Sequence, residues 1–462
     1  MDKLLTVWCV LVGFAMIALA FPDGMGALLL TAMLSFVTIG LIYKYAKGKE
    51  EIKFVTRVFV IALLVRLIFG LFIHVFELQS YFGGDSGTYN DVGYRLLESW
   101  FGPVPNDITT QRAMITTGSG WTMKYLVAVV YLFSGENILA AQSVCAVIGA
   151  ATAPMTYFCT KKIFSNKRAS TVAALSIALF PALVIWTSQL LKDGLMVFLL
   201  VLVMTLVLQL QEKFSILALA LLFFSLFAII TLRFYIFYMV VIAVSSSFII
   251  GMGATSQSIA KRMVVFCLLG FALAYFGILN TASGELEEYG NLQRIQTSRE
   301  DLSRAGSGYG TDIDVSTTSG AISVLPIGFL YLMLAPFPWQ INSFRSALTV
   351  PDILLWWSSI PFLITGLWFT FKHRLRKAIP ILVFTILLTL SYSLFQGNVG
   401  TAYRQRIQIQ VFLFIFIAVG FTLRKEHKEN KLFKRKEKMK QFYRNNKSEN
   451  QIQEKKENIQ MV

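Results

Sequence analysis

Apolar residues run through this chain in long blocks separated by short polar or charged joints. About 20 apolar residues in a helix cross the hydrocarbon layer of a bilayer. On that measure the pattern predicts twelve spans, at 4–22, 26–44, 55–78, 137–160, 169–187, 193–211, 214–231, 234–252, 263–280, 352–371, 379–396 and 407–423. The fold class expected is an all-α, polytopic membrane bundle. The first span is not read as a cleaved leader: no small-residue cleavage site follows it and a second span starts almost at once. Two more apolar stretches, Tyr125–Phe133 and Val324–Trp339, are too short, or too interrupted by Pro326, Pro336 and Pro338, for an ordinary crossing. They are expected to lie in the outer interface or dip into it. In 86–100, Val92, Leu96, Leu97 and Trp100 repeat at helical spacing, which suits a helix lying on the membrane surface.

Charge gives the topology a direction. Lys47, Lys49 and Lys53 lie in loop 45–54; Lys161, Lys162, Lys167 and Arg168 lie in loop 161–168. Lys261 and Arg262 precede the ninth span, and Lys372, Arg374, Arg376 and Lys377 occupy 372–377. The tail 424–462 carries 13 basic and 6 acidic residues. All five segments fall on one face if both termini are cytoplasmic, as the positive-inside rule requires. The division expected is a transmembrane region 1–423, with external loops within 79–136 and 281–351, and a basic cytoplasmic tail 424–462. Loop 79–121 holds four acids against Arg95 and Arg112, and loop 281–322 holds seven against Arg294, Arg299 and Arg304. The second of these, rich in Gly, Ser and Thr, has the composition of a mobile lid.

Composition narrows the class. Of 462 residues, 55% are hydrophobic and 15% charged, and the mean hydropathy is +0.62. That excludes a soluble enzyme, a secreted disulfide scaffold and a disordered chain. A net charge of +16 would suggest a nucleic-acid partner in a soluble protein. Here the cytoplasmic loops account for it, and no nucleic-acid partner is expected. Cys9, Cys145, Cys159 and Cys267 all lie in apolar runs without CxxC spacing, so they read as small hydrophobes. His74, His373 and His427 form no metal-ligand motif.

Charged residues at the membrane edge are expensive and need a reason. Four external-side clusters carry them: 83–89 around Asp85 and Tyr89, 188–193 with Lys192 and Asp193, 232–235 around Arg233, and 397–406 with Asn398, Tyr403, Arg404 and Arg406. Asp85 follows two glycines and opens a helix, where the helix dipole favours negative charge. An ionised carboxylate there can take a proton from a hydroxyl or hold a divalent cation; the bland alternative is an N-cap. Lys192 and Asp193 read as an ion pair, or as an anion site in which Lys192 binds phosphate. Arg233, Arg404 and Arg406 run against the positive-inside trend, and arginine gives bidentate phosphate recognition. Arg66, in mid-span, is a further candidate whose plain reading is an interhelical hydrogen bond.

The ordered set from about 79 to 235 resembles the GT-C superfamily of polytopic glycosyltransferases, and in it bacterial relatives of the dolichyl-phosphate-mannose protein mannosyltransferases and of the lipid A aminoarabinose transferase. The residues that carry this are Gly84, Asp85, Tyr89 and the run Tyr94–Leu97, then Tyr125–Gly135, the basic turn Lys161–Phe164, the span Ala173–Pro181 and the acidic Asp193. The resemblance implies transfer of a sugar from a polyprenyl-phosphate donor to a saccharide or lipid-linked acceptor at the outer face of the plasma or inner membrane, as in cell-envelope polysaccharide assembly. It implies that Asp85 is the loop acid acting as catalytic base or metal partner. The chain has Gly-Asp-Ser where many relatives have paired acids, and 398–406 has no counterpart in the better-known members. No cofactor is certain; a divalent cation remains open. A polymerase of lipid-linked repeat units would suit the same topology. So would a lipid-linked sugar flippase or transporter, although matching halves are not evident.

Overall fold

The computed structural model describes residues 24–102, 120–250, 291–304, 307–310 and 313–460. Among them the chain is helical almost throughout, without a strand, and with an isolated antiparallel bridge between Gly308 and Asn398. Seven helices are long and apolar enough to cross a membrane, or eight if one bent pair counts as a span. The expected spans 4–22 and 263–280 lie outside the described residues, as do Cys9, Cys267, Lys261 and Arg262.

The first half of the bundle consists of α1 (Gly24–Tyr45), α2 (Lys49–Val75), the short α3 (Gln79–Phe82), α4 (Asp85–Phe101), α5 (Trp121–Ser134) and α6 (Ile138–Phe164). Then come α7 (Lys167–Leu179), α8 (Pro181–Thr187), α9 (Lys192–Glu212), α10 (Ile216–Leu232) and α11 (Phe234–Ile250). The second half is α12 (Leu292–Ser303), α13 (Thr318–Leu334), the short α14 (Phe344–Ala347), α15 (Val350–His373), α16 (Leu375–Phe395) and α17 (Val399–Gln460). The expected spans therefore reappear as helices wherever the chain is described. The expected span 169–187 is not one rod: Pro181 lacks the N–H that would continue α7, and α7 meets α8 at 54°. At 17 residues, α10 is about 26 Å long, short of the roughly 30 Å hydrocarbon layer. The short stretch 125–133 lies within α5, and the proline-interrupted stretch 324–339 is helical in α13 as far as Leu334 and leaves the helix before Pro336 and Pro338.

α6 is the hub. Ala140, Ala141, Ala146, Ala150 and Ala153 keep its surface shallow, so α2, α7 and α9 pack closely around it. The start of α17 is the second axis, enclosed by α7, α9, α13 and α15. α1 and α15 expose rows of Leu, Phe, Met and Trp, as lipid-facing helices do. One end of the bundle is knit by ion pairs from the basic loops: Lys161 with Glu51, Lys162 and Lys377 with Glu212, and Arg168 with Glu429. The loops that the charge pattern assigns to one face thus meet one another. Asp85, Lys192, Asp193, Arg233 and Arg404 lie at the other end.

α15 and α17 cross through a reciprocal glycine contact. A Cβ on Gly366 would collide with the Phe416 carbonyl, and one on Gly420 with the Phe362 carbonyl. Gly366→Val and Gly420→Val are each expected to cost about 1–3 kcal/mol by overpacking this crossing. Thermal unfolding of the purified protein in detergent measures the loss, and unchanged midpoints would show that the helices do not meet there.

Candidate functional site

The irregular stretch between α8 and α9 delivers the deepest charge. Backbone outside a helix is tolerated at membrane depth only when its polar groups are satisfied inside the protein. Here Ser188 Oγ donates to the Val184 carbonyl at 2.5 Å and Gln189 Nε2 to the Ile185 carbonyl at 2.8 Å. The carbonyls freed where α7 ends are taken by Arg66. Its Nη1 reaches the Ala178 oxygen at 3.1 Å, its Nη2 the Ile177 oxygen at 3.1 Å, and its Nε the Thr187 hydroxyl at 2.7 Å. Arg66 is fully buried and structural, so the interhelical reading of this residue is the one that fits.

α9 opens on Lys192 and Asp193, and Asp193 has no exposed surface. Its carboxylate is held from two sides. Arg233 Nη2 donates to Oδ1 at 3.0 Å and Arg404 Nε to Oδ2 at 2.7 Å. The expected Lys192–Asp193 ion pair is therefore not what fixes Asp193. Arg404 also donates from Nη2 to Asp85 Oδ2 at 3.0 Å, bridging an acid from α4 and an acid from α9. Asp85 is the first helical residue, after Gly84, and its carboxylate makes no capping bond. The N-cap reading is replaced by the pairing with Arg404.

Arg233 lies in the extended turn between α10 and α11, as the sequence suggests. Its Nη1 donates to the hydroxyls of Tyr235 and Tyr392, each at 3.2 Å, and Tyr392 donates to Gln408 Oε1 at 3.0 Å. Burial opposes its charge, but Tyr235, Tyr392 and Asp193 outweigh it and hold the guanidinium well above its ordinary range. Under Arg404 sits the Trp186 ring, 5.5 Å from the guanidinium carbon.

Lys192 and Tyr89 complete the group. Gly120, at φ +95°, packs against both the Tyr89 hydroxyl and the Lys192 ammonium, a backbone conformation that favours glycine. The Gly120 N–H donates to the Thr231 carbonyl at 2.9 Å, tying the start of α5 to the end of α10 beside Arg233. Burial, then the charges of Asp85 and Asp193, raise the Tyr89 hydroxyl well above its ordinary value, so it stays a neutral phenol. Lys192 lies within electrostatic reach of Arg233, Asp193, Asp85 and Arg404. It makes no hydrogen bond or ion pair among the described residues.

Asn398, Tyr403 and Arg406 are not brought into this group. Arg406 is fully buried on another side of α17. Its Nη1 donates to the Ala335 oxygen at 2.9 Å and the Met333 oxygen at 3.1 Å, and its Nη2 lies 3.6 Å from Asp352 Oδ2. Tyr403 lies beneath it, 5.1 Å from ring centre to guanidinium carbon. Asp352 in turn accepts the Ala182 N–H at 3.0 Å, so this second network locks α8, α13, α15 and α17 together. Asn398 caps the start of α17, accepting the N–H groups of Gly400 and Thr401. It also joins Ser307 and the Leu302 carbonyl. The described part of the expected lid is accordingly anchored: Arg299 donates to the Leu394 and Gln396 carbonyls at 2.8 and 2.7 Å, and Tyr309 N–H to the Gly397 carbonyl at 2.9 Å.

Asp85 and Asp193 do not form a cation site as arranged, because the Arg404 guanidinium stands between them and donates to both. Among the described residues no group of three or more His, Cys, Asp or Glu gathers elsewhere.

Tyr392, Gln408 and Trp186 are participants that the pattern of charges does not flag. Gln408 carries a faint signal, as a glutamine within an apolar run; Tyr392 and Trp186 look like ordinary membrane aromatics.

No family model matches the sequence. No curated protein matches it either. Among solved structures, the chain is similar to the apo form of the oligosaccharyltransferase of Archaeoglobus fulgidus, with a TM-score of 0.48 and 14% identity over 82% of this chain and 51% of that one. It is also similar to the archaeal oligosaccharyltransferase AglB from Archaeoglobus fulgidus, in complex with an inhibitory peptide and a dolichol-phosphate. There the TM-score is 0.46 and the identity 13%, over 82% of this chain and 51% of that one. The chain spans about half the length of these structures.

The geometry separates framework from site in a measurable way. Arg233→Met leaves Asp193 with one cation in a buried setting and is expected to cost about 3–5 kcal/mol of stability. Lys192→Met removes an ammonium without a fixed partner and is expected to cost less than about 1 kcal/mol. Unfolding in detergent compares the two; equal losses would contradict the arrangement.

Proposed function

We propose that the protein is a membrane glycosyltransferase that moves a sugar from a polyprenyl-phosphate donor to an acceptor hydroxyl at the outer face of the plasma or inner membrane, in cell-envelope polysaccharide assembly. The observation that supports this most is the convergence of Asp85, Tyr89, Lys192, Asp193, Arg233 and Arg404 from separate turns at one end of the bundle. Two carboxylates face three cations there, which leaves one positive charge over. That surplus suits an anionic lipid phosphate whose prenyl chain lies along the apolar helices.

In this reading each group has one task. Arg404 and Lys192 bind the phosphate and stabilise the charge that builds on it as the sugar–oxygen bond breaks. Asp85, half exposed at the rim, accepts the proton of the acceptor hydroxyl as that oxygen attacks the anomeric carbon. Asp193 and Arg233 are positioning residues, since both are buried and act through Arg404. Tyr89, kept as a phenol, offers a neutral hydrogen bond beside the phosphate or the sugar. The basic tail from 424 lies on the cytoplasmic side, near anionic lipid.

The test is sugar transfer by purified variants that still insert, assayed with a polyprenyl-phosphate monosaccharide and with a lipid-linked oligosaccharide as alternative donors. Asp85→Asn is expected to lower kcat by about 10²–10⁴-fold, the range for loss of a general base. Arg404→Ala should be comparably damaged. Lys192→Gln should raise KM for the donor by about tenfold, as loss of a charged hydrogen bond does. Full activity of both Asp85→Asn and Arg404→Ala would remove the assignment.

A further inference from the structure

One contact in this cluster opposes the reaction just described, and the inference drawn from it rests on that reading. Asp85, which would accept a proton, is bound to Arg404, which would bind phosphate. The two acids on Arg404 are not equivalent. Asp193 is wholly buried, accepts from Nε, lies 2.7 Å from Nη2 and is held by Arg233 as well. The Asp85 side chain is 47% exposed, and its hydrogen bond among the described residues is a single one, from Nη2. The neighbouring Nη1 makes no hydrogen bond among the described residues and faces the Gly83 backbone, where a Cβ would lie 3.4 Å away. So on the outer edge of Arg404, Nη1 is uncommitted among the described residues, and Nη2 is shared between the buried Asp193 and Asp85 at the rim. The uncommitted Lys192 ammonium lies in the same cluster.

We propose that the donor phosphate takes the Nη1–Nη2 edge of Arg404 and displaces Asp85, so that the catalytic carboxylate is released only when the donor is in place. A phosphate can accept from both nitrogens of that edge, whereas Asp85 accepts from one. Lys192 adds a second positive charge within electrostatic reach of that edge. Trp186 beneath the guanidinium and Asp193 behind it keep Arg404 still while its outer partner changes. The exchange forms and breaks no covalent bond. Asp85 keeps its negative charge, leaves one hydrogen bond and turns towards the acceptor. Until then the acid is occupied, and water in the site meets no free base.

The consequence can be measured, because Asp85 then acts as an internal competitor for the phosphate. Equilibrium binding of a labelled polyprenyl monophosphate to the full chain in detergent reads it, with the polyprenol of equal length as the neutral control. Asp85→Asn and Asp85→Ala are expected to bind the phosphate about tenfold tighter than wild type, the worth of one charged hydrogen bond. Asp85→Glu, which restores the competing charge, should stay within about twofold of wild type. Polyprenol binding should be the same in all four proteins. Equal or weaker phosphate binding by both neutral variants, with the phosphate still preferred over the polyprenol, would overturn the displacement alone. No preference for the phosphate in any of the four would overturn the donor assignment, and the displacement with it.

Discussion

A carboxylate with no exposed surface, set at the mouth of an apolar bundle, has to find its cations inside the protein. Asp193 is that group, and much of the surrounding architecture follows from its need. Arg233 reaches it from the turn between α10 and α11, and Arg404 from the second turn of α17. Three helix ends must therefore arrive at one depth. The break after α7 makes this possible, because a straight helix through 180–191 could not present the first turn of α9 there. Arg66 and the side chains of Ser188 and Gln189 take over hydrogen bonds that the break leaves open.

From that anchor the site grades outward from fixed to exchangeable. Tyr392 and Gln408 back Arg233 in the interior. Arg404 stands between the buried acid and the rim. Asp85 and Lys192 are the outermost members, one with a single bond and the other with none among the described residues. Rigid groups behind and replaceable ones in front suit a site that must hold its geometry while charged ligands come and go.

Most of the fold was legible because membrane burial writes itself into sequence as run length. Most of the spans that the structure describes start and stop within a few residues of the apolar blocks, but α17 runs from Val399 to Gln460, well past the block 407–423 at both ends. The bend at Pro181 was missed because the hydropathy of 169–187 is continuous across it, although the proline itself gave a local signal. The site was legible in part. Charges at the membrane edge pointed to Asp85, Lys192, Asp193, Arg233 and Arg404. The same rule swept in Arg406, which stands two residues beyond Arg404 but faces the other side of the helix, where it serves Asp352 and the carbonyls after α13. Which way a side chain points depends on tertiary packing, and a list of charges does not contain it. Asn398, in the same 397–406 cluster, fastens the external segment to the last helix.

The two arginines near the start of α17 have a mechanical effect beyond their separate bonds. Side chains two positions apart on a helix diverge by about 200°, so Arg404 and Arg406 grip opposite walls of the bundle. An apolar cylinder surrounded by apolar neighbours has little to fix its angle about its own axis. A rotation of a few tens of degrees would pull both guanidiniums from their acids at once. The pair thus acts as a key in a slot: it sets the azimuth of a long hydrophobic rod, and with it the aim of the Arg404 guanidinium.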